Sequence, residues 1–488
     1  MVQRLSPKEH SPYIPNSNPD RRLPVDSPPF SEIIQAKFPM IDKTDAVADL
    51  LTLRQSILRL AFSRPRKFGK SLVLDMAAEI LAAGRLPEGV QPWYGYNPRP
   101  IGMFKGLKVY EKMLASDRLN TAHFVIKVSL DGGAGDGEGE GIVKQLSETA
   151  GESFGPAAGA SVLETGTVRA ALERLLRMVP RGVPVALLVD EYDSSVVKYA
   201  MANDLASATK SLDTLNNLLA LTKNAPFSGQ IQVCLVTGVS RVGFSGGFSW
   251  VNTFTDISDG ELMSRVCGFT KDEIMSNFRP ELLRLGANMA KNDDLSEEEL
   301  IDTAMAGLTE YFNGYCFDGM TTCFAPHSVL AALDAGDLIG WKASRKDLLD
   351  TSLLNAPAEG LRKTLEKELD SAGGMAYEGL VRQLTVQGLH RLSVSGESGS
   401  TSDPALVPLL FQVGILAIDP RAQIGADGRV QLKIPNVVAR EWFLWSVLDI
   451  KDVPKAAATE DSRKFFKNIV TEALKLAPTL AKLVVFLM

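Results

Sequence analysis

Two short stretches carry residue types able to handle phosphate and a divalent ion. The first is Ser63-Arg64-Pro65-Arg66-Lys67-Phe68-Gly69-Lys70-Ser71, and the second is Val185-Ala186-Leu187-Leu188-Val189-Asp190-Glu191. In a Gly-Lys-Ser turn the glycine lets backbone approach a phosphate. The lysine reaches the β- and γ-phosphates, and the serine hydroxyl ligates Mg²⁺. An apolar run ending in Asp-Glu places Asp190 to hold the ion and Glu191 to polarise an attacking water. The chemistry these residues could perform together is Mg²⁺-dependent hydrolysis of ATP.

Elements of defined type must position them. Leu58–Phe62 reads as a buried strand that bends at Arg64-Pro65. Helical periodicity starts near Lys70, runs through Leu72, Val73, Met76, Ile80 and Leu81, and stops around Gly84. A helix beginning at Gly69-Lys70 aims its free N–H groups and positive dipole end into the turn. The uninterrupted run Val185–Val189 is that of a central parallel strand, with Asp190 at the carboxyl end where such sheets bind ligands. Phe124–Leu130 and Ile231–Thr237 read as further strands. Residues 64–72 therefore form the expected phosphate cradle: Arg64, Pro65, Arg66, Lys67, Phe68, Gly69, Lys70, Ser71 and Leu72. One departure stands out, since Arg64 occupies the position of the first P-loop glycine. Its guanidinium is one candidate addition to the cradle, as are Arg66 and Lys67. The plainer alternative for the whole stretch is a solvated basic turn.

The order of motifs matches a family. Ile41-Asp42-Lys43-Thr44, Ser63–Ser71, Met103-Phe104-Lys105-Gly106-Leu107, Leu188–Asp193, Leu235–Arg241, Cys267-Gly268-Phe269-Thr270 and Tyr311-Phe312-Asn313-Gly314-Tyr315 follow one another. With fainter matches at Phe411–Ile418 and Pro435-Asn436-Val437, this resembles the AAA-ATPase-like family over roughly residues 30–445. The resemblance implies ATP and Mg²⁺ as ligands, with Ser71 and Asp190 on the metal. Lys70 and Glu191 would then do the catalytic work. P-loop ATPases of this general architecture often end the strand beside the acidic one in a polar sensor, here Thr237 or Ser240. Arg241 is either an arginine finger or a member of a surface salt bridge. Asp42-Lys43 is either a turn beside the nucleotide or a simple helix entry, with Thr44 or Asp45 as N-cap. The nuclease-like domain that often follows in this family is expected to be absent, because Asp449-Ile450-Lys451 lacks a partner strand and the 447–488 tail is too short.

The fold class expected is α/β: a P-loop NTPase with a mainly parallel sheet flanked by helices, a helical lid region, and a small winged-helix-like module. Expected divisions are a disordered arm over 1–29, the ATPase domain over 30–265, a helical region over 266–400, the module over 401–446 and the tail. A chain of 488 residues with 45% hydrophobic and 23% charged residues is a folded, multidomain protein. A net charge of −6 gives no support for a globally basic nucleic-acid binder. Cysteines at 234, 267, 316 and 323 lack paired spacing and read as reduced, mostly buried thiols. No apolar leader or membrane-length run occurs, which points to the cytoplasm or nucleus. The expected partners are ATP and a second copy of the chain. A nucleotide-gated nucleic-acid-binding module and a degenerate mobile-element or effector relative are the competing readings. The aromatic stretch Phe244–Phe254 reads as local core rather than a base-stacking platform.

Overall fold

In a computed structural model of the chain, five strands pair in parallel in the order β2–β3–β4–β1–β5. They are β1 (Leu58–Ser63), β2 (Phe124–Ser129), β3 (Val185–Asp190), β4 (Ile231–Gly238) and β5 (Thr255–Asp256). The structure describes residues 22–53, 57–131, 139–223, 227–242, 253–290, 294–339, 375–376, 385–394, 405–420 and 429–439. The expected α/β P-loop fold is present, and β4 lies between the P-loop strand β1 and the acidic strand β3.

Both faces of the sheet are covered, which is why β3 is buried along its whole length. One face carries Leu60 and Phe62 of β1, Ala186 and Leu188 of β3, and Val233 and Leu235 of β4. They pack on the Thr44–Leu51 and Lys70–Leu81 helices. Alternate residues, including Ala61, Ile126, Leu187, Val189 and Val236, face the opposite way. Those pack on the Glu140–Phe154, Val168–Met178 and Leu205–Ala220 helices. The Lys70–Leu81 helix buries Val73, Leu74, Met76, Ala77, Ile80 and Leu81, the stripe its spacing predicts. Near its end Gly84 has φ +111°, and a Cβ there would meet the Asn120 carbonyl oxygen at 2.3 Å.

Among the described residues between 261 and 335 the chain is mainly helical. Thr270 and Glu273 form the predicted capping box of the Lys271–Asn277 helix. The Arg279–Met289, Glu297–Phe312 and Pro326–Ala335 helices share a core with it. Leu23 is buried in that same core, and its N–H donates to Asp334 Oδ1 at 3.0 Å. The expectation of a disordered arm reaching residue 29 is therefore corrected: residues 22–29 are a packed strap. The proline-rich composition hid the single leucine that anchors it.

Of the expected C-terminal module, the structure describes the Leu406–Gln412 helix and an antiparallel pairing of Ala417–Ile418 with Leu432–Lys433. The hairpin signal at Asp427-Gly428 thus lies between paired strands, although the turn itself is outside the described residues. Arg429–Val430 pairs instead with Met375–Ala376. Among the described residues the module shares its core with the rest of the chain. Leu409, Phe411, Ile415 and Ile418 pack with Val196 and Ala200 of the Ser194–Met201 helix and with Phe68 of the P-loop turn. Asp449, Lys451 and most of the Phe244–Phe254 stretch lie outside the described residues. No helix among those described is long and apolar enough to cross a membrane, and all four cysteines are buried and free.

Candidate active site

The turn after β1 is built by residues that alternate in direction. Arg64 is 1% exposed, and its Nη1 donates to the carbonyls of Ser63 at 3.0 Å and Ser258 at 2.6 Å. Its guanidinium lies 4.4 Å from the Phe317 ring centroid. Burial lowers its pKa from the usual arginine value. Phe68 also turns inward, with its ring edge against Tyr315 at 4.9 Å and Phe317 at 5.8 Å. Arg66 and Lys67, between these two anchors, line the cleft. The structure therefore does not bring the Arg64 guanidinium into the cradle with them. It makes Arg64 the inner post of the turn, and Pro65 is buried beside Gly414.

Gly69 takes φ +84° at the N-cap of the Lys70–Leu81 helix, and no atom lies within 4 Å of where a Cβ would stand. The glycine is required here for its backbone conformation and leaves open space over the helix end. Lys67 takes φ +64° and Glu191 takes φ +50°, conformations that non-glycine residues seldom hold. Two such residues sit on the two motifs that the fold brings together.

Lys70 is 6% exposed, and its ammonium donates to the Pro65 carbonyl at 3.1 Å. Burial lowers its pKa, against which the charges of Asp190, Asp193 and Glu191 pull it back up. A buried ammonium of this kind gains from any further anion that reaches it. Asp190 is buried and its Oδ1 accepts the Glu191 N–H at 2.9 Å. Burial, then the neighbouring Asp131 and Asp190 charges, push Glu191 up to about 7, while Lys70 and Arg66 act in the opposite sense. Ser71 is exposed at the first turn of the helix.

Thr237, at the end of β4, pairs in register with Phe62 of β1 and so stands between the P-loop strand and the acidic one. It is fully buried, and its Oγ1 has no hydrogen-bond partner. An orphaned hydroxyl at that place is one a water or phosphate oxygen could satisfy. The following turn is held by Asp193, which accepts from Val239 N at 3.0 Å and from Ser240 N and Oγ at 2.5 and 2.6 Å. Tyr192 Oη donates to the Ser240 carbonyl at 2.6 Å. Ser240 is thereby committed to this turn.

Arg241 is not a surface residue. Its guanidinium is buried, pairs in two-pronged fashion with Asp259 and donates to Ser63 Oγ at 3.2 Å. The structure places it in an internal ion pair and outside the cleft lining.

A cavity of about 550 Å³ opens over the helix start. Arg66, Lys67, Phe68, Gly69, Lys70, Ser71, Leu72 and Glu191 line it, together with groups that the sequence reading left uncertain or passed over. Lys43 lies there, ion-paired with Glu273 at 2.5 Å, so it links the α/β domain to the helical region. Asp42 performs the helix entry: Oδ1 accepts Thr44 N at 2.9 Å and Oδ2 accepts Lys108 N at 2.8 Å. The N-cap position is Lys43, and the first helical N–H is satisfied by the Asp42 side chain, two residues before the expected Thr44. Pro24 and Pro28 of the strap, Phe269, Phe278, Leu330 and His327 complete an apolar wall. Asp131, which follows β2, was also missed. Its signal was available, as the Ser129-Leu130-Asp131 terminus of a strand parallel to β3.

The site fits a magnesium nucleotide by a helix start with open space, a buried ammonium and the Glu191 carboxylate on the cleft lining, with Asp190 and the orphaned Thr237 hydroxyl buried outside that lining. Ser71 and Asp190 could hold the metal. A match to a family model agrees with this class. Residues 24–248 match the family described as AAA-ATPase_like, Predicted AAA-ATPase. A protein of Azotobacter chroococcum mcd 1, named only as an uncharacterized protein in the vnfD 5′ region, is 26% identical over 423 residues, covering 86% of this chain and 68% of that one. Among solved structures, the Walker-type ATPase PABY2304 of Pyrococcus abyssi is similar with a TM-score of 0.38 at 12% identity, covering 82% of this chain and 93% of that one. The Aeropyrum pernix ORC1 protein, solved in complex with DNA, gives a TM-score of 0.25 at 11% identity, covering 82% and 90%. Over residues 24–248, a little under half of its length, the chain is similar to the AAA-ATPase-like family.

Proposed function

We propose that the protein is an ATPase that binds ATP with Mg²⁺ in the 550 Å³ cavity and hydrolyses the terminal phosphate. The observation that supports this reading is the buried Lys70 ammonium at a helix start, lining one cavity with Ser71 and with Glu191 of the acidic motif. Lys70 and the free N–H groups of the helix start would hold the phosphates. Ser71 and Asp190 would hold Mg²⁺, which when bound neutralises phosphate charge. Glu191 would accept a proton from the attacking water, and Thr237 Oγ1 would orient that water or the terminal phosphate. Phe269, Phe278 and the Pro24–Pro28 strap would receive the apolar face of the base. Because Lys43 and Glu273 join the two regions, nucleotide occupancy would draw the helical region against the α/β domain.

Lys70→Ala tests the reading. Calorimetric titration with ATP should show affinity reduced about 100-fold, the loss of one or two charge-assisted hydrogen bonds. Thermal stability should stay level or rise, since a buried charge is removed. Parental affinity in this variant would falsify the assignment.

A further inference from the structure

Three motifs of the sequence stand outside the large cleft: Asn313-Gly314-Tyr315, Phe411–Ile418 and Pro435-Asn436. The fold gathers them behind the P-loop turn. Resting on the ATPase reading above, we propose that Gln412 and Gly414, at the end of the Leu406–Gln412 helix, are positioning residues. They hold the two turns of the phosphate site in register, so that the C-terminal module regulates that site.

Gln412 completes the turn after β4. Three consecutive N–H groups of that turn need acceptors. Asp193 takes those of Val239 and Ser240, at 3.0 and 2.5 Å. The third, from Arg241, donates to Gln412 Oε1 at 2.7 Å. Gln412 and Arg241 are both buried, so water does not replace this acceptor when it is lost. The acidic motif thus supplies two of the acceptors, and the C-terminal helix supplies the last. Thr237, with its orphaned hydroxyl, stands at the entry to this turn.

Gly414 seats the other turn. It takes φ +85° just past the helix end. A Cβ there would meet Pro65 Cγ at 2.7 Å and Tyr315 Cε1 at 3.3 Å, so the helix end lies directly against the P-loop turn. The two turns are also bonded to each other, the Arg64 N–H donating to the Gly238 carbonyl at 3.2 Å. Leu409 and Val413 line a small cavity of about 20 Å³ with Arg66 of one turn and Ser240 of the other. The remaining two motifs fix Tyr315. Gly314 leaves room for the Pro435 carbonyl oxygen, which a Cβ would meet at 2.4 Å, and Asn436 Nδ2 donates to the Asn313 carbonyl at 2.8 Å. Tyr315 in turn carries the Phe68 ring at 4.9 Å. A displacement of the module would therefore move two things together. One is Pro65, whose carbonyl accepts the Lys70 ammonium at 3.1 Å, and the other is the acceptor of the Arg241 N–H.

The test uses the full chain and separates the two contacts. Gln412→Met keeps the bulk and removes the acceptor. Its kcat for ATP should fall about 10-fold or more, with ADP affinity by calorimetry within about 3-fold of the parent. Gln412→Glu keeps an oxygen in place and should recover part of the rate. Gly414→Ala pushes on Pro65 and should weaken ADP binding about 10-fold. In a Pro65→Ala background, where the added methyl has more room, the same change should weaken ADP binding by less than about 3-fold. A defect of the helix end alone would cost the same in both backgrounds. Parental kcat in Gln412→Met overturns the proposal, as does a loss of rate that Gln412→Glu does not relieve. So does an equal effect of Gly414→Ala in both backgrounds. If Gly414→Ala yields no folded protein, the two Gln412 variants decide. A parent that binds ADP and turns over ATP while Gln412→Met matches it rejects the proposal alone. A parent that binds no nucleotide rejects the ATPase reading with it.

Discussion

Asp193 Oδ2 accepts both the backbone N–H and the hydroxyl of Ser240, at 2.5 and 2.6 Å, and so ties the acidic motif after β3 to the turn after β4. The partner oxygen takes Val239 N–H. Asp193 is 2% exposed, so these are buried, charge-assisted bonds. Asp193→Ala leaves the two N–H groups of the turn without acceptors and should lower stability by about 2–4 kcal/mol in denaturant titration. Asp193→Asn keeps the shape and some of the acceptors and should lose roughly half as much. Equal stability of Asp193→Ala and the parent would show that the turn is held by something else.

Glu191→Gln should separate nucleotide binding from turnover. The folded protein holds a proton on Glu191 up to about pH 7, whereas the unfolded chain releases it near the ordinary glutamate value of 4.5. The folded-state pKa is raised, so the folded state binds the extra proton in that window and stability falls as pH rises through it. The glutamine variant should lack this slope and be more stable than the parent at pH 8 by about 1–2 kcal/mol, well below the full electrostatic figure because solvent screens part of the group. Its ATP affinity should persist, while hydrolysis drops about 10²-fold. In the parent, turnover should rise with pH through about 7. A pH-independent parental rate would move the proton acceptor elsewhere.

His123 gives a second pH signature, remote from the cleft. It is 2% exposed, Nδ1 lies 2.9 Å from the Thr121 carbonyl, and Nε2 has no partner. Burial, with a smaller push from Arg118, lowers its pKa to about 4. The folded protein resists charging the ring, so this group's contribution is full above the ordinary value of 6.5 and is lost as pH falls toward about 4. Between pH 7 and pH 5 urea titrations should register a loss of about 2 kcal/mol from it. His123→Gln should flatten that part of the profile. An unchanged slope would mean the imidazole is protonated without penalty.

Leu23→Ala should cost about 2 kcal/mol in stability, the lower end for a buried leucine, because the strap is short and can partly relax. ATP affinity should weaken with it, since Pro24 and Pro28 line the cleft next to that anchor. A variant with parental melting temperature would show the strap to be passive.

Legibility in the sequence followed the range of the interactions. The Lys70–Leu81 helix, the burial of β3 and the Thr270–Glu273 capping box depend on neighbours a few residues away, and periodicity or spacing reveals them. Arg64 and Arg241 were legible only as cations. Where each guanidinium points is decided by Ser258 and Phe317 for the one and by Asp259 for the other, and no local pattern encodes those partners. The same holds for Lys43, whose partner Glu273 also serves a helix cap. In the strap, one leucine among prolines carried the whole signal. Asp131 could have been found by asking which strand lies beside the acidic one.

The order of the strands has a consequence for how the protein can come to exist. Both stretches proposed to handle phosphate are synthesised by residue 191, yet β1 and β3 are not paired: β4, residues 231–238, is the ladder that joins Leu58–Ser63 to Val185–Asp190. Pairings so distant in the chain close late and slowly, because loop entropy must be met before they reward it. A chain ending before β4 thus carries every residue of the two stretches and still lacks the strand through which β1 and β3 are joined. On the function proposed above, nucleotide affinity is in this sense a property of the completed sheet.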